Sequence, residues 1–285
     1  MIIDSHQHFW DRSDGRFDNA WQEGQGLERI CRSFLPEDLQ PCIQAAGVDA
    51  TISVQTQHNL EENRWALSLA ERHGFIAGVV GWVDLASSAC GDQLAEFQDR
   101  PKFVGIRHVV QDEPDEDFII RGDVLRGLAE LEKRQLPFDL LFYERHLKHA
   151  VTVASQFPGL PLVINHLSKP NIKQGSFEGW RKQIRAAAEH ENVYCKLSGM
   201  VTEADWQDWE VEQLRPYAET AIECFGPQRL MYGSDWPVCN LAANYAQVYA
   251  ATRQLIASLS QHEQSMILGG TARHFYQLPI VSENR

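Results

Sequence analysis

Three histidines and one aspartate stand where their side chains could act on a single ligand. His6 and His8 are two residues apart in MIIDSHQHFW, so in an extended strand both point to the same face. His166 follows the apolar run PLVIN, and Asp235 follows LMYGS. Imidazole and carboxylate groups can bind one divalent ion such as Zn²⁺, or they can act without metal by hydrogen bonding to a carbonyl and taking a proton from water. Both options stay open from the residues alone.

Other polar and aromatic side chains follow apolar runs and could complete a binding site. His58 and His108 each follow such a run, and His108 could return a proton to a leaving group. Arg107 precedes His108 directly, so only one of the two easily faces inward. Lys196 is either a cation for the substrate or a buried partner of an acid such as Asp4. The side chains predicted to bind the substrate are Arg107, Lys196, Trp10, Trp21, Gln55 and Trp236.

Eight short apolar runs alternate with amphipathic segments, a pattern that predicts buried parallel strands covered by helices. The predicted strands are 2–5, 50–55, 76–83, 103–107, 137–142, 161–165, 193–197 and 230–233. The clearest helical patterns cover 36–46, 59–73, 124–135, 177–191 and 204–225. No linker-like tract divides the chain, so we predict one α/β domain over 1–285, folded as a (β/α)₈ TIM barrel.

Such a barrel gathers the carboxyl ends of its strands at one rim, where barrel enzymes keep their chemistry. His6, His8, His166 and Asp235 would all lie on that rim. The segment 9–35 shows no regular pattern and is long for a connecting loop. Loops of that length are usually functional, so we expect this one to cover the mouth of the barrel.

Composition excludes several classes of protein. The 26 Lys and Arg residues against 39 Asp and Glu give a formal charge of -13, which would repel nucleic acid. No run approaches the roughly 20 apolar residues of a membrane span, and the first residues lack the pattern of a signal peptide. The six cysteines form no CxxC pair and are expected to be free thiols in a cytoplasmic protein. Homo-oligomerisation is expected only as a base rate.

Four motifs and their order resemble a known family. They are HQHFW at 6–10, INHLSKP at 164–170, KLSGM at 196–200 and GSDWP at 233–237, with TARHFYQL closing the match at 271–278. Together they resemble the amidohydrolase superfamily, in its branch of sugar-lactone and pyrone-dicarboxylate lactonases. The resemblance implies hydrolysis of a cyclic ester, with His6, His8 and His166 around the substrate carbonyl or a metal and with Asp235 as general base. It also suggests a 6-deoxy sugar lactone such as fuconolactone or rhamnonolactone.

The fourth and fifth predicted strands depart from the two-metal members of that superfamily. They end GIRHVV and FDLLFY, without the bridging Lys or Glu or the further His that a binuclear centre uses. We therefore predict one Zn²⁺ or none, bound by His6, His8, His166 and Asp235, and activity that does not depend strictly on the metal. The alternatives are a pyrone-dicarboxylate lactonase, a Zn²⁺-dependent non-oxidative decarboxylase, and a barrel that binds a sugar acid without turnover.

Overall fold

A computed structural model of the chain describes residues 1–279, and its eight strands form one parallel sheet in chain order. The strands are β1 Ile3–Gln7, β2 Ala50–Val54, β3 Ile76–Gly81, β4 Phe103–His108, β5 Phe138–Leu140, β6 Leu162–Ile164, β7 Val193–Leu197 and β8 Leu230–Tyr232. A parallel bridge between Gln7 and Trp236 joins the last strand's extension to the first, and His8 N–H donates to the Trp236 carbonyl at 2.7 Å. The predicted (β/α)₈ barrel is confirmed. Residues 280–285 of the predicted domain lie outside the described residues.

Helices connect the strands on the outside of the barrel. They are α1 Pro36–Ala46, α2 Leu60–Arg72, α3 Cys90–Phe97, α4 Gly122–Arg134, α5 Lys148–Gln156, α6 Glu178–Ala188, α7 Met200–Glu203, α8 Val211–Phe225, α9 Tyr245–Leu255, α10 Gln261–Ser265 and α11 Thr271–Phe275, with a π-helical turn at Met266–Gly270. Short 3₁₀ turns lie at Ala20–Gln22, Val110–Asp112, Phe118–Ile120, Glu144–His146, Asn165–Ser168, Ile172–Gln174 and Val238–Leu241. Local sequence sets several boundaries: Asn59 caps α2 by accepting the Glu61 N–H, and Gly47 ends α1 in a left-handed conformation.

The predicted helix over 204–225 starts later than expected. Asp205 accepts a hydrogen bond from the Gln207 N–H at 3.0 Å, an Asx turn that competes with helix formation. The long helix therefore begins at Val211 and follows the short α7. The predicted strands at 76–83, 137–142 and 161–165 are likewise shorter in the structure, because their last residues leave the sheet to form the rim.

Two apolar layers make the barrel a rigid support. The outer layer lies between strands and helices, where buried side chains such as Leu128 of α4 and Ile184 of α6 pack on the sheet. The inner layer fills the amino-terminal half of the barrel with Ile52, Val80 and their neighbours, and Tyr276 after α11 closes it from below. Because the lower half is packed with apolar side chains, polar groups are concentrated at the carboxyl-terminal rim.

The segment 9–35 folds back over that rim as expected. Trp10 and Phe34 form an antiparallel bridge that ties its two ends together, and Trp10 Nε1–H donates to the Arg32 carbonyl at 2.6 Å. Arg12 braces the middle of the segment through the Asn19 carbonyl. Within residues 1–279, no helix combines the length and the apolar character that crossing a bilayer requires.

Candidate active site

The carboxyl-terminal rim encloses a cavity of about 540 Å³, a size typical of small-molecule sites. Its floor and walls include His8, Arg107, His166 and Asp235, while Trp21 approaches from the segment that covers the mouth. A second cavity, of about 740 Å³, opens at the amino-terminal end of the barrel and is lined by none of the predicted site residues. We therefore place the candidate active site in the carboxyl-terminal cavity.

The four residues singled out from the sequence converge. Asp235 Oδ1 lies 3.4 Å from His8 Nε2, 3.7 Å from His166 Nε2 and 3.8 Å from His6 Nε2. His6 Nε2 and His8 Nε2 are 3.2 Å apart. All four side chains are buried, so the cluster sits at the base of the cavity with its nitrogen and oxygen atoms directed at one point.

His8 has a defined tautomer. Its Nδ1 lies 2.7 Å from the Val54 carbonyl, which can only accept, so Nδ1 carries the proton. The lone pair is then on Nε2, which faces Asp235 and His6. Metal-binding and catalytic imidazoles usually donate the N–H of one ring nitrogen to a carbonyl or carboxylate, which orients the other ring nitrogen toward the ligand.

His166 is positioned by unusual backbone geometry. Residues 166–169 all have positive φ, from 50° to 61°, which non-glycine residues seldom adopt and which costs energy at each position. The turn aims the imidazole into the cavity, where Ser198 Oγ lies 2.9 Å from Nδ1. A Cβ at Gly199 would lie 2.6 Å from that same nitrogen, so the glycine of the KLSGM motif makes room for the ring.

Asp235 is held in a similar way. Its φ is 57°, its N–H donates to the His6 carbonyl at 2.8 Å, and its own carbonyl accepts from Cys239 N–H at 2.8 Å. A Cβ at Gly233 would come within 2.7 Å of the His6 Cβ, which accounts for the glycine of the GSDWP motif. The two motifs therefore encode close backbone approach as well as the functional side chains.

His6 rests on a fully buried polar network. Lys196 Nζ lies 2.6 Å from Asp139 Oδ2, 3.0 Å from the Ser5 carbonyl and 3.2 Å from His6 Nδ1. Tyr276 completes the network by donating to the other Asp139 oxygen at 2.8 Å. The Lys196 ammonium can only donate, so His6 Nδ1 faces a cationic donor within this network.

The imidazoles are neutral and the aspartate is ionised. Burial lowers the pKa of His166 to about 3 and lowers the pKa values of His6 and His8 as well. For Asp235, burial acts to raise the pKa, but the facing His166 and His8 rings and the positive charge of Lys169 hold it below its usual value. At neutral pH the site therefore presents three uncharged imidazoles and one carboxylate, the protonation states needed for a general base surrounded by hydrogen-bonding or metal-ligating nitrogens.

Arg107, and not His108, faces the interior of the barrel. Its guanidinium donates to the Gln55 side chain and carbonyl, and Nη1 lies 3.2 Å from His6 Nε2. Burial lowers the pKa of Arg107 to about 10, so the group stays charged at neutral pH. It supplies a fixed positive charge at the base of the cavity.

Five residues predicted to act on the substrate do not reach the cavity. Lys196 is enclosed by Asp139, rather than by Asp4, and Gln55 is occupied by Arg107. Two rings, Trp10 and Trp236, pack edge-on against Phe34 and close the barrel mouth. The fifth, His108, lies behind His58 with both ring nitrogens engaged. Of the predicted tryptophans, Trp21 alone lines the cavity.

The family model for amidohydrolases, described as "Amidohydrolase", matches residues 3–278. The chain belongs to the amidohydrolase family. It is 37% identical to an L-fucono-1,5-lactonase of Burkholderia ambifaria, over 97% of this chain and 95% of that protein, and 37% identical to an L-fucono-1,5-lactonase of Burkholderia multivorans over 100% and 99%. A crystal structure of a Burkholderia multivorans amidohydrolase with bound zinc superposes with a TM-score of 0.93 at 38% identity, covering 98% of this chain and 100% of that one.

The donor set of this amidohydrolase fits a single zinc ion. Tetrahedral Zn²⁺ with bonds of about 2.0–2.1 Å separates its ligand atoms by roughly 3.3 Å. The ligand atoms of His6, His8 and Asp235 are 3.2 Å to 3.8 Å apart and form one compact group. His166 Nε2 lies beside that group, 3.7 Å from the same carboxylate oxygen. His8 is already oriented as a ligand, because its proton is on Nδ1 and its Nε2 lone pair faces Asp235.

A second histidine cluster in this amidohydrolase has similar spacing. His58, His108 and Glu113 offer ligand atoms within 4.8 Å of one another. However, His108 Nδ1 accepts from Trp82 Nε1–H at 3.1 Å, which leaves its proton on Nε2, 2.6 Å from Glu113 Oε1. His58 Nε2 accepts from the Val109 N–H at 3.1 Å. Each imidazole lone pair is already used, so this cluster is a hydrogen-bonded wall and not a metal centre.

Sequence reasoning missed three charged residues that line the cavity, Asp18, Asp112 and Lys169. Lys169 enters it because the left-handed turn after β6 reverses the chain, a geometry that composition does not reveal. The only signal was its place in the INHLSKP motif. Asp112 reaches the cavity from the 3₁₀ turn after β4, where a single exposed acid carries no distinguishing pattern.

Proposed function

We propose that this amidohydrolase hydrolyses a sugar-acid lactone of the L-fucono-1,5-lactone type. The observation that carries the proposal is the convergence of an ionised Asp235 with three neutral imidazoles in one cavity. The full-length similarity to two L-fucono-1,5-lactonases supports the substrate class. The cavity is large enough for a six-membered lactone and carries polar side chains, such as Asp112 and Gln57, for its hydroxyl groups.

Each catalytic step has a group placed for it. The Arg107 charge, with His166 Nε2–H when Ser198 Oγ–H donates to its Nδ1, favours negative charge on the lactone carbonyl oxygen, while Asp235 takes a proton from the attacking water. Water oxygen bonds to the carbonyl carbon, and the bond from that carbon to the ring oxygen then breaks. Protonated Asp235 returns its proton to the ring oxygen, which leaves as an alcohol. His108 is not placed for that return, since both of its nitrogens are engaged.

A zinc ion held by His6, His8, His166 and Asp235 would act as a Lewis acid toward the carbonyl oxygen. We propose that activity does not depend strictly on it. Arg107 supports this view, because its fixed charge lies against His6 and already favours a negatively charged oxygen there.

The decisive experiment is a pH-indicator screen of L-fucono-1,5-lactone, other aldonolactones and pyrone dicarboxylate, with and without chelator. We expect acid release from the 6-deoxy sugar lactones and residual turnover after chelation. Turnover restricted to pyrone dicarboxylate would replace the substrate class with that alternative. Carbon dioxide release from aromatic acids, abolished by chelation, would instead identify a decarboxylase.

The proposed setting is the cytoplasm, in carbohydrate metabolism, with a small-molecule lactone as the substrate. All six cysteines are free thiols, as expected in a reducing compartment. Fractionation of the native host would check the location.

A further inference from the structure

His58 belongs to the second histidine cluster, with His108 and Glu113, and it is the member of that cluster that lines the cavity. It lies in the loop between β2 and α2, its side chain is exposed, and it lines the same cavity as Asp235. It was noted in the sequence only as one of several histidines that follow a strand. Nothing in the hydrolytic steps above uses it.

The ring offers one defined hydrogen bond to a ligand. Because Nε2 accepts from the Val109 N–H at 3.1 Å, the neutral imidazole must carry its proton on Nδ1. Within residues 1–279, that Nδ1–H meets no protein acceptor. Partial burial of the ring against Trp82 and His108 lowers the pKa of His58 to about 4, so at neutral pH the ring is an uncharged donor.

The position of this donor is fixed by its surroundings. The His58 ring packs on His108 with centroids 4.0 Å apart and stacks on Trp82 at 5.4 Å with an 11° angle between planes. The loop is clamped from below by the buried Glu62, which accepts from the Thr56 N–H and from the Gln57 N–H. A rigid donor loses little entropy on binding, as expected of a group that reads ligand stereochemistry.

We propose that His58 determines specificity by donating its Nδ1–H to a hydroxyl group of the sugar ring. This inference rests on the lactonase function proposed above. Asp112 lies in the turn that begins beside Val109 and also lines the cavity, so a carboxylate acceptor accompanies the imidazole donor. A hydroxyl group needs both, since it donates one hydrogen bond and accepts another. The aliphatic ring of an unsubstituted lactone needs neither.

Two amide substitutions test the roles of the two ring nitrogens of His58 separately. His58→Asn places an amide near the position of Nδ1 and keeps a donor for the substrate, whereas His58→Gln reaches the position of Nε2 and keeps an acceptor for Val109. Both are compared with the unmodified enzyme on L-fucono-1,5-lactone and on δ-valerolactone, which has the ester but no hydroxyl. Thermal unfolding of each variant monitors the fold.

We expect His58→Gln to lower kcat/KM for the sugar lactone about tenfold, the loss typical of one hydrogen bond. Its kcat/KM for δ-valerolactone should stay within about twofold, and His58→Asn should retain more activity on the sugar lactone. Equal losses on both lactones, or no loss on either, would overturn the inference and leave the lactonase function standing. An unmodified enzyme that is inactive on every aldonolactone would refute the function itself, and the inference with it.

Discussion

Two histidine clusters lie at the carboxyl-terminal rim, His6, His8 and Asp235 in the first and His58, His108 and Glu113 in the second, and in each the ligand atoms fall within 4.8 Å of one another. In the first, the Nε2 atoms of His6 and His8 lie 3.8 Å and 3.4 Å from Asp235 Oδ1, and His8 and Asp235 line the cavity. In the second, His58 Nε2 and both ring nitrogens of His108 are directed at N–H groups of the protein or at Glu113. Distances alone do not distinguish them.

The direction of the lone pairs makes the difference. The Val54 carbonyl accepts the proton of His8 and so frees its lone pair, whereas Val109 N–H occupies the lone pair of His58. The backbone group that contacts the ring is an acceptor at His8 and a donor at His58. His8 therefore offers the cavity a lone pair, as a ligand or acceptor, whereas His58 offers an N–H donor. The first cluster is therefore equipped for chemistry, and the second for recognition.

The largest expected effect concerns the carboxylate of the first cluster. Asp235→Asn removes the base while keeping the size of the side chain, so kcat/KM for the sugar lactone should fall by about 10²–10⁴. Asp112→Asn is the matched control and should cost about tenfold or less. Asp112 lies beside the second cluster of His58, His108 and Glu113, and together these residues are called the recognition wall. Steady-state kinetics on both variants checks this. Comparable losses would mean that Asp235 is not the base.

Metal binding should also distinguish the clusters. Calorimetric titration of the metal-free protein should give one Zn²⁺ per chain. His8→Asn should weaken this binding by more than the roughly 10- to 100-fold seen for loss of outer contacts. His58→Asn should leave both affinity and stoichiometry unchanged. Two equivalents of bound zinc would contradict the assignment of the second cluster as a hydrogen-bonded wall.

A smaller effect is expected on stability. His108→Phe preserves packing against His58 and Phe118 but leaves Trp82 Nε1–H and the Glu113 carboxylate without their partner. Leaving such groups unpaired should cost about 1–3 kcal/mol of the free energy of unfolding. Urea denaturation measures this loss. His58→Phe, at an exposed position, is the control, and an equal loss there would show that the His108 hydrogen bonds do not stabilise the wall.

The sequence predicted the first cluster better than the second for a physical reason. The alternation of side chains in β1 and the common rim of parallel strands sufficed to bring His6 and His8 to Asp235. Which of Arg107 and His108 faces inward depends on the inclination of β4 in the barrel, and that was left undecided. The partner of Lys196 was beyond sequence reasoning, because Asp139 reaches it from a strand two positions away in the sheet.

The pH dependence of stability should again separate the two sides, because their buried carboxyl groups are shifted in opposite directions. Burial raises the pKa of Glu62, beneath the recognition wall, to about 7 from a usual value of 4.5, whereas its histidine neighbours hold Asp235 below its usual pKa. For Glu62, folding favours the protonated form. Its contribution to stability is therefore complete below about pH 4.5 and is lost as pH rises through about 7.

The amide of Glu62→Gln cannot ionise, so this variant should not lose stability at this position as pH rises. The free energy of unfolding of the unmodified protein, relative to Glu62→Gln, should fall by up to about 3 kcal/mol between about pH 4.5 and pH 8. Urea denaturation across this range measures the difference, and Glu61→Gln, at the neighbouring exposed position of α2, is the control. Parallel stability curves for the unmodified protein and Glu62→Gln would mean that the donors at Thr56 and Gln57 keep the carboxylate ionised. In that case the recognition wall would be held by a charged clamp, as the catalytic side is.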